Sequence, residues 1–143
     1  MDLIELLSIG AERNASDVHL TVGIPPTYRI DGALVSLVEK KLTSEDTLYL
    51  VRQALDQTRL NKLEEDGEID FSYSIHTIGR FRVNAFKQRG SYAMVLRIIP
   101  LEIPLMDELG LPPILSDLSK LPRGLILVTG PTGSGKTTTL ASI

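Results

Sequence analysis

Residues 130–137 read GPTGSGKT, a spacing in which glycines, a lysine and a hydroxyl residue can converge on one polyanion. Gly130, Gly133 and Gly135 lack a Cβ, so the backbone there can take unusual conformations and approach a ligand closely. Amides exposed by such a loop, followed by the first turn of a helix, attract anions, and the helix dipole adds to the pull. This is the P-loop pattern. In it the backbone of Gly130, Pro131, Thr132, Gly133, Ser134 and Gly135 would cradle the phosphates of a nucleoside triphosphate. Lys136 would sit between the β- and γ-phosphates, and Thr137, with Thr138 beside it, would offer a hydroxyl to Mg²⁺. ATP and Mg²⁺ are the cofactors expected.

Such a loop works only between a strand and a helix. Leu125, Ile126, Leu127 and Val128 form a short run with no polar face, which predicts a strand with neighbours on both sides and cover above and below. The helix is expected to start near Lys136 and to run to Ile143. Hydrolysis further needs an acidic residue on a second buried strand and a group that positions water. In this class of fold both lie downstream of the loop. Only six residues follow Thr137, so the chain by itself is expected to be inactive.

Upstream, the pattern predicts a separate α+β unit. Leu3, Leu6, Leu7 and Gly10 or Ala11 share one helical stripe within residues 2–14, a stripe that reads as core packing. Val18, Leu20 and Val22 then alternate with Asp17, His19 and Thr21, as in a half-buried strand. Tyr28–Ile30 and Leu34–Leu37 flank Asp31–Gly32, a hairpin signal. Thr43 with Asp46 three residues later predicts a capped helix start, with Leu48, Val51 and Leu55 at helical spacing. A second short helix is expected from Arg59 to Glu65, closed by Gly67. Three strands follow: 69–75, 80–85 and a nearly continuous apolar run at 92–99, which suits a central strand covered on both faces. From Pro100 onward five prolines punctuate the chain as far as Pro122, the composition of an interdomain linker. The expected division is 1–100, a linker over 101–122, and 123–143 as the start of the P-loop domain.

Arg80, Arg82, Arg89 and Arg97 gather in the strands before that linker. They read either as a solvated sheet face or as arginine fingers that reach a nucleotide held by a neighbouring subunit. His19 and His76 stand alone, without the second ligand a metal site requires. Glu64, Glu65 and Asp66 read as a solvated helix end. The formal charge of -3 gives no basic excess for nucleic acid. No run of apolar residues is long enough to span a bilayer. Cysteine is absent, so disulfides and thiolate metal sites are excluded. The N-terminus lacks the features of a signal peptide, so the cytoplasm is the expected compartment.

Several segments taken together resemble the secretion ATPases of type IV pili and type II secretion. They are Ser16-Asp17-Val18-His19-Leu20, Pro25 to Gly32 (PPTYRIDG), Gly79 to Asn84 (GRFRVN), and Val95 to Pro100 (VLRIIP). Leu109-Gly110-Leu111-Pro112 and Arg123 to Thr129 continue the likeness into the P-loop. The first of these lies close to Met1, which resembles the pilus retraction (PilT) branch, where no further N-terminal domain precedes it. Thr137 followed by Thr138 departs from the Ser-Thr pair frequent in retraction enzymes and is similar to assembly enzymes. The resemblance implies a PAS-like N-terminal domain, an antiparallel sheet with helices, joined to the first strand, P-loop and helix start of a RecA-like α/β ATPase domain. It also implies a homo-hexameric motor that hydrolyses ATP to retract pili in twitching motility. That motor would lie peripherally at the inner-membrane base, against a pilus platform protein. Arg80, Arg82 and Arg97 match the arginines that approach the neighbour's nucleotide and join Lys136 as catalytic candidates. The alternatives are a pilus-assembly or type II secretion ATPase, or a stand-alone oligomerisation module with a vestigial P-loop.

Overall fold

A computed structural model describes residues 1–99, 103–131 and 134–143. It separates into two compact units, Met1–Pro100 and Leu101–Ile143.

The first unit begins with α1 (Leu3–Glu12), whose open amide at Ile4 is capped by the Asp2 carboxylate at 2.8 Å. Strands β1 (Asp17–Leu20), β2 (Thr27–Ile30) and β3 (Ala33–Ser36) follow, then helices α2 (Ser44–Ala54) and α3 (Gln57–Asp66). Three longer strands complete the unit: β4 (Glu68–Ile75), β5 (Gly79–Gln88) and β6 (Ser91–Ile99). All six strands join one sheet in the order β3-β2-β1-β6-β5-β4, with antiparallel pairing throughout. The unit is α+β, as the sequence patterns predict.

Turn chemistry sets the hairpins. Asp31 and Gly32 take φ of 49° and 81°, and Arg89 and Gly90 take 51° and 78°. Both pairs have the double positive φ of a type I′ turn, whose twist matches that of the strands it joins. Arg89 is therefore a turn residue and not part of the arginine cluster on the strands. Thr43 and Asp46 form the expected capping box at the start of α2. Their bonds hold the Asp46 carboxyl down at about 2, the backbone amide of Thr43 being the largest cause. The start of α3 differs from expectation. It begins two residues before Arg59, because Asp56 caps the amide of Arg59 at 2.8 Å.

Alternation along β5 sorts the side chains. Phe81, Val83 and Ala85 are buried, while Arg80 and Arg82 are exposed. Val18 and Leu20 of β1 and Met94 and Leu96 of β6 face the same way as Phe81 and Val83. With Leu3, Leu6, Leu7, Leu50 and Leu63 from the three helices they form one core. The opposite sheet face carries Asp17, Arg29, Arg82, Asn84, Val95 and Arg97. This corrects the expectation of cover on both faces of β6. The strand is central, between β1 and β5, yet Val95 is half-buried and Arg97 exposed.

Helix α1 sits close to the sheet because position 10 is glycine. A Cβ there would lie 3.1 Å from Val18 Cγ2 and 3.3 Å from the Tyr28 ring. Tyr28 is fully buried and donates its hydroxyl to the Leu6 carbonyl at 3.2 Å. Burial, with a smaller effect of Glu5, pushes its hydroxyl up to about 12. Replacing Gly10 by valine should destabilise the chain by about 2 kcal/mol, the scale of overpacking in a filled core. Chemical denaturation measures this, and an unchanged midpoint would show that α1 has room to spare.

Candidate functional site

In the second unit the P-loop leads into α5 (Lys136–Ser142), with Gly135 as its N-cap in the left-handed region at φ 86°. Among the described residues no side chain caps this helix start, so its first amides remain open to an anion. Thr137 and Thr138 lie exposed on the first turn. Gly130 takes φ of 156°, a conformation that residues with a Cβ rarely adopt, so the loop's curl favours glycine at that position. Lys136 folds its ammonium back onto the loop, donating to the carbonyls of Gly130 at 2.8 Å and Pro131 at 2.5 Å. Thr132 and Gly133, also expected in the cradle, lie outside the described residues. The donors present fit a nucleotide phosphate with Mg²⁺: open amides, one ammonium and an exposed hydroxyl.

Residues 125–128 depart from expectation. They form no strand, and Leu125 and Leu127 are 82% and 74% exposed. A parallel strand takes its hydrogen bonds from neighbours on either side, and among the described residues none pairs with this run. A short α4 (Ile114–Ser119) precedes this run in the chain and matches the helical turns expected at 114–118.

The arginines occupy the open face of the sheet in the first unit. Register pairs Arg82 directly with Arg97, and Arg97 with Asp17, which is in turn opposite Arg29. Arg80 lies two residues along β5, opposite Ile99. The Asp17 carboxylate, buried to 9% side-chain exposure, is shared between two guanidinium groups. Arg97 Nε donates to Oδ1 at 3.0 Å, and Arg29 Nε lies 3.3 Å from Oδ2. The Ser16 hydroxyl adds a third bond, to Oδ2 at 2.8 Å. Burial by itself pushes the Asp17 carboxyl up, but Ser16 and Arg97 together hold it below its ordinary value. On the neighbouring strand pair, Arg82 grips Asp70 through Nη2 at 2.6 Å and Nε at 3.2 Å. The Arg82 hydrogen bond lowers the Asp70 carboxyl, and Arg82 is raised in turn. A shallow hollow of about 140 Å³ lies over this face, lined by Asp17, Asp70, Arg82, Asn84, Val95 and Arg97.

His19 shares the face. Burial lowers its basicity, Asp17 counters this and Arg29 reinforces it, and its Nε2 is buried without a hydrogen-bond partner among the described residues. No group of three His, Cys, Asp or Glu among the described residues could hold a metal. Sequence reasoning missed Asp17, Arg29 and Asp70. The missing signal was register: Asp17 and Arg97 are 80 residues apart, and only the β1–β6 pairing brings them together.

The sequence profile of the Type II/IV secretion system protein family matches residues 3–143. The chain belongs to that family. Within it the chain is PilT-like along its length. It is 42% identical over all 143 residues to the type IV pilus retraction ATPase PilT of Pseudomonas aeruginosa, of which it covers 42%. It is 38% identical to the type IV pilus ATPase PilU of the same organism, covering 37% of that protein. A crystal structure of the pilus retraction motor PilT with bound ADP superposes with a TM-score of 0.85 at 48% identity. That match takes in 99% of this chain and 42% of PilT. The chain thus spans about two fifths of the length of these family members. Among the described residues no helix is long and apolar enough to cross a membrane.

The lowered carboxyls of Asp17 and Asp70 fix the sign of an acid dependence. Both groups bind protons less readily folded than unfolded. Their contribution to stability is therefore complete above the ordinary aspartate value of 3.8 and lost as pH falls below it through the lowered values. The melting temperature of the chain should drop below about pH 4, and the drop should be shallower in Asp17→Asn. An equal slope in the variant would show that Asp17 gains nothing from its partners.

Proposed function

We propose that this chain is the front portion of a ring-forming ATPase that hydrolyses ATP to retract type IV pili. The observation that carries the reading is the likeness to about two fifths of PilT along all 143 residues of this chain, together with an uninterrupted GPTGSGKT sequence. In this reading residues 1–100 form the N-terminal domain, 101–122 a linker, and 123–143 the start of a RecA-like ATPase domain. The loop amides, Lys136, Thr137 and Thr138 hold the nucleotide, and Thr137 gives its hydroxyl to Mg²⁺. When bound, the metal neutralises phosphate charge. Lys136 must leave the carbonyls of Gly130 and Pro131 to reach the phosphates, so those two contacts compete with ligand.

Subunits assemble as a hexamer in the cytoplasm, at the inner-membrane base of the pilus machine and against its platform protein. Arg80, Arg82 and Arg97 present positive charge to the nucleotide of the neighbouring subunit. The exposure of all three on one open sheet face supports this, and Arg97 keeps both terminal amino groups clear of its Asp17 partner among the described residues.

A second reading holds for residues 1–143 on their own: a binding module without hydrolysis. The unpaired run at 125–128 and the self-bonded Lys136 support it. Mg²⁺-dependent ATP hydrolysis separates the two. The full-length protein should turn over ATP, and residues 1–143 should not. Absence of turnover in full-length hexamers would sink the motor reading.

Within the full-length protein, Lys136→Ala should abolish hydrolysis. Arg97→Ala should leave nucleotide affinity intact and lower turnover on the order of 10²-fold, below the largest effects seen for a lone arginine finger because three arginines share the task. Isothermal titration and steady-state kinetics measure the two effects, and unchanged turnover in Arg97→Ala would count against the trans role.

A further inference from the structure

The geometry points to Asp17 as the positioning residue that aims Arg97. This rests on the reading of Arg97 as a residue acting on the neighbouring subunit's nucleotide.

Two of the candidate trans-acting arginines, Arg82 and Arg97, are held by carboxylates, but differently. Arg82 gives Asp70 two edges of its guanidinium, Nε and Nη2, so much of its donor capacity is taken. Arg97 gives Asp17 only Nε, at 3.0 Å. Among the described residues no group engages its terminal amino groups, and its side chain is 69% exposed. A guanidinium is planar, so fixing Nε fixes the direction in which the two terminal amino groups point. Such a fork matches phosphate oxygens.

The carboxylate that holds Arg97 is itself immobilised. Oδ2 accepts the Ser16 hydroxyl at 2.8 Å and faces Arg29 Nε at 3.3 Å, while the backbone of Asp17 is paired on both sides, with β2 and with β6. Arg29 is anchored in turn by its own bond from Nη1 to the Gly32 carbonyl at 3.2 Å. An exposed arginine on a solvated strand would otherwise spread over many rotamers, and ordering a long side chain costs conformational entropy. Here the ordering is done before any nucleotide arrives.

The test is a double-mutant cycle in the full-length ATPase. Asp17→Ala should lower kcat for ATP about tenfold, a loss on the scale of misdirecting a positioned group, with KM for ATP unchanged. Asp17→Asn retains one acceptor for Arg97 and should recover part of the turnover. In an Arg97→Ala background, Asp17→Ala should add nothing. An independent readout uses the 143-residue chain: the Arg97 Nε–H resonance should exchange slowly with water, and lose that protection in Asp17→Ala. Equal losses in the presence and absence of Arg97, or an unprotected Nε–H, would overturn the assignment. If Asp17→Ala does not fold, the isosteric Asp17→Asn carries the same cycle. Should Arg97→Ala by itself leave turnover unchanged, the trans reading fails. If Arg97→Ala is slow but uncoupled to position 17, that reading stands and the positioning role falls.

Discussion

The pairing of β1 with β6 joins segments separated by most of the first unit, and the chemistry of the open sheet face depends on its register. Asp17 meets Arg97, Val18 meets Leu96 and His19 meets Val95. Side chains along a strand alternate between faces, so a slip of one residue would turn Val18 and Leu20 to water and Asp17 into the core. Burial of Val18, Leu20, Met94 and Leu96, each at most 1% exposed, therefore specifies the register. The ion pairs on the other face follow from it. Apolar packing thus does the aligning, and the polar network inherits a fixed geometry. The guanidinium ends of these pairs are exposed, so each pair adds only modest stability, and in the proposed motor the network serves chiefly to direct Arg97.

Local signals in the sequence were enough for much of the first unit. The capping box at Thr43, the Asp31–Gly32 turn and the alternation along β5 each act over a few residues, and each forms as read. The trans-arginine candidates were also legible as residue types in a strand. What held them was not. Asp17, Arg29 and Asp70 become partners only through strand order and register, which no local pattern encodes. The apolar run of β6 misled in one respect. Continuous hydrophobicity suggested cover on two faces, whereas the residue between Leu96 and Ile98 is an exposed arginine.

The second unit shows the opposite balance. Its motif could be read letter by letter, yet its supporting strand could not be built from the same letters. A helix draws its hydrogen bonds from within, so α5 forms where expected. A parallel strand draws them from neighbours, and residues 125–128 have none among the described residues. Lys136 places its ammonium on the loop's own carbonyls. In the proposed motor the second unit supplies the phosphate cradle and the first the guanidinium groups, each serving on a different subunit.

Mixing subunits tests that division most directly. Full-length Lys136→Ala protein has a dead cradle but intact arginines, and Arg97→Ala protein has the reverse. When the two nearly inactive proteins are co-assembled into mixed rings, junctions form that combine an intact cradle with an intact Arg97 from the neighbour. ATP turnover should then rise well above that of either parent. Mixed rings no more active than their parents would contradict the assignment of cradle and arginine to separate subunits.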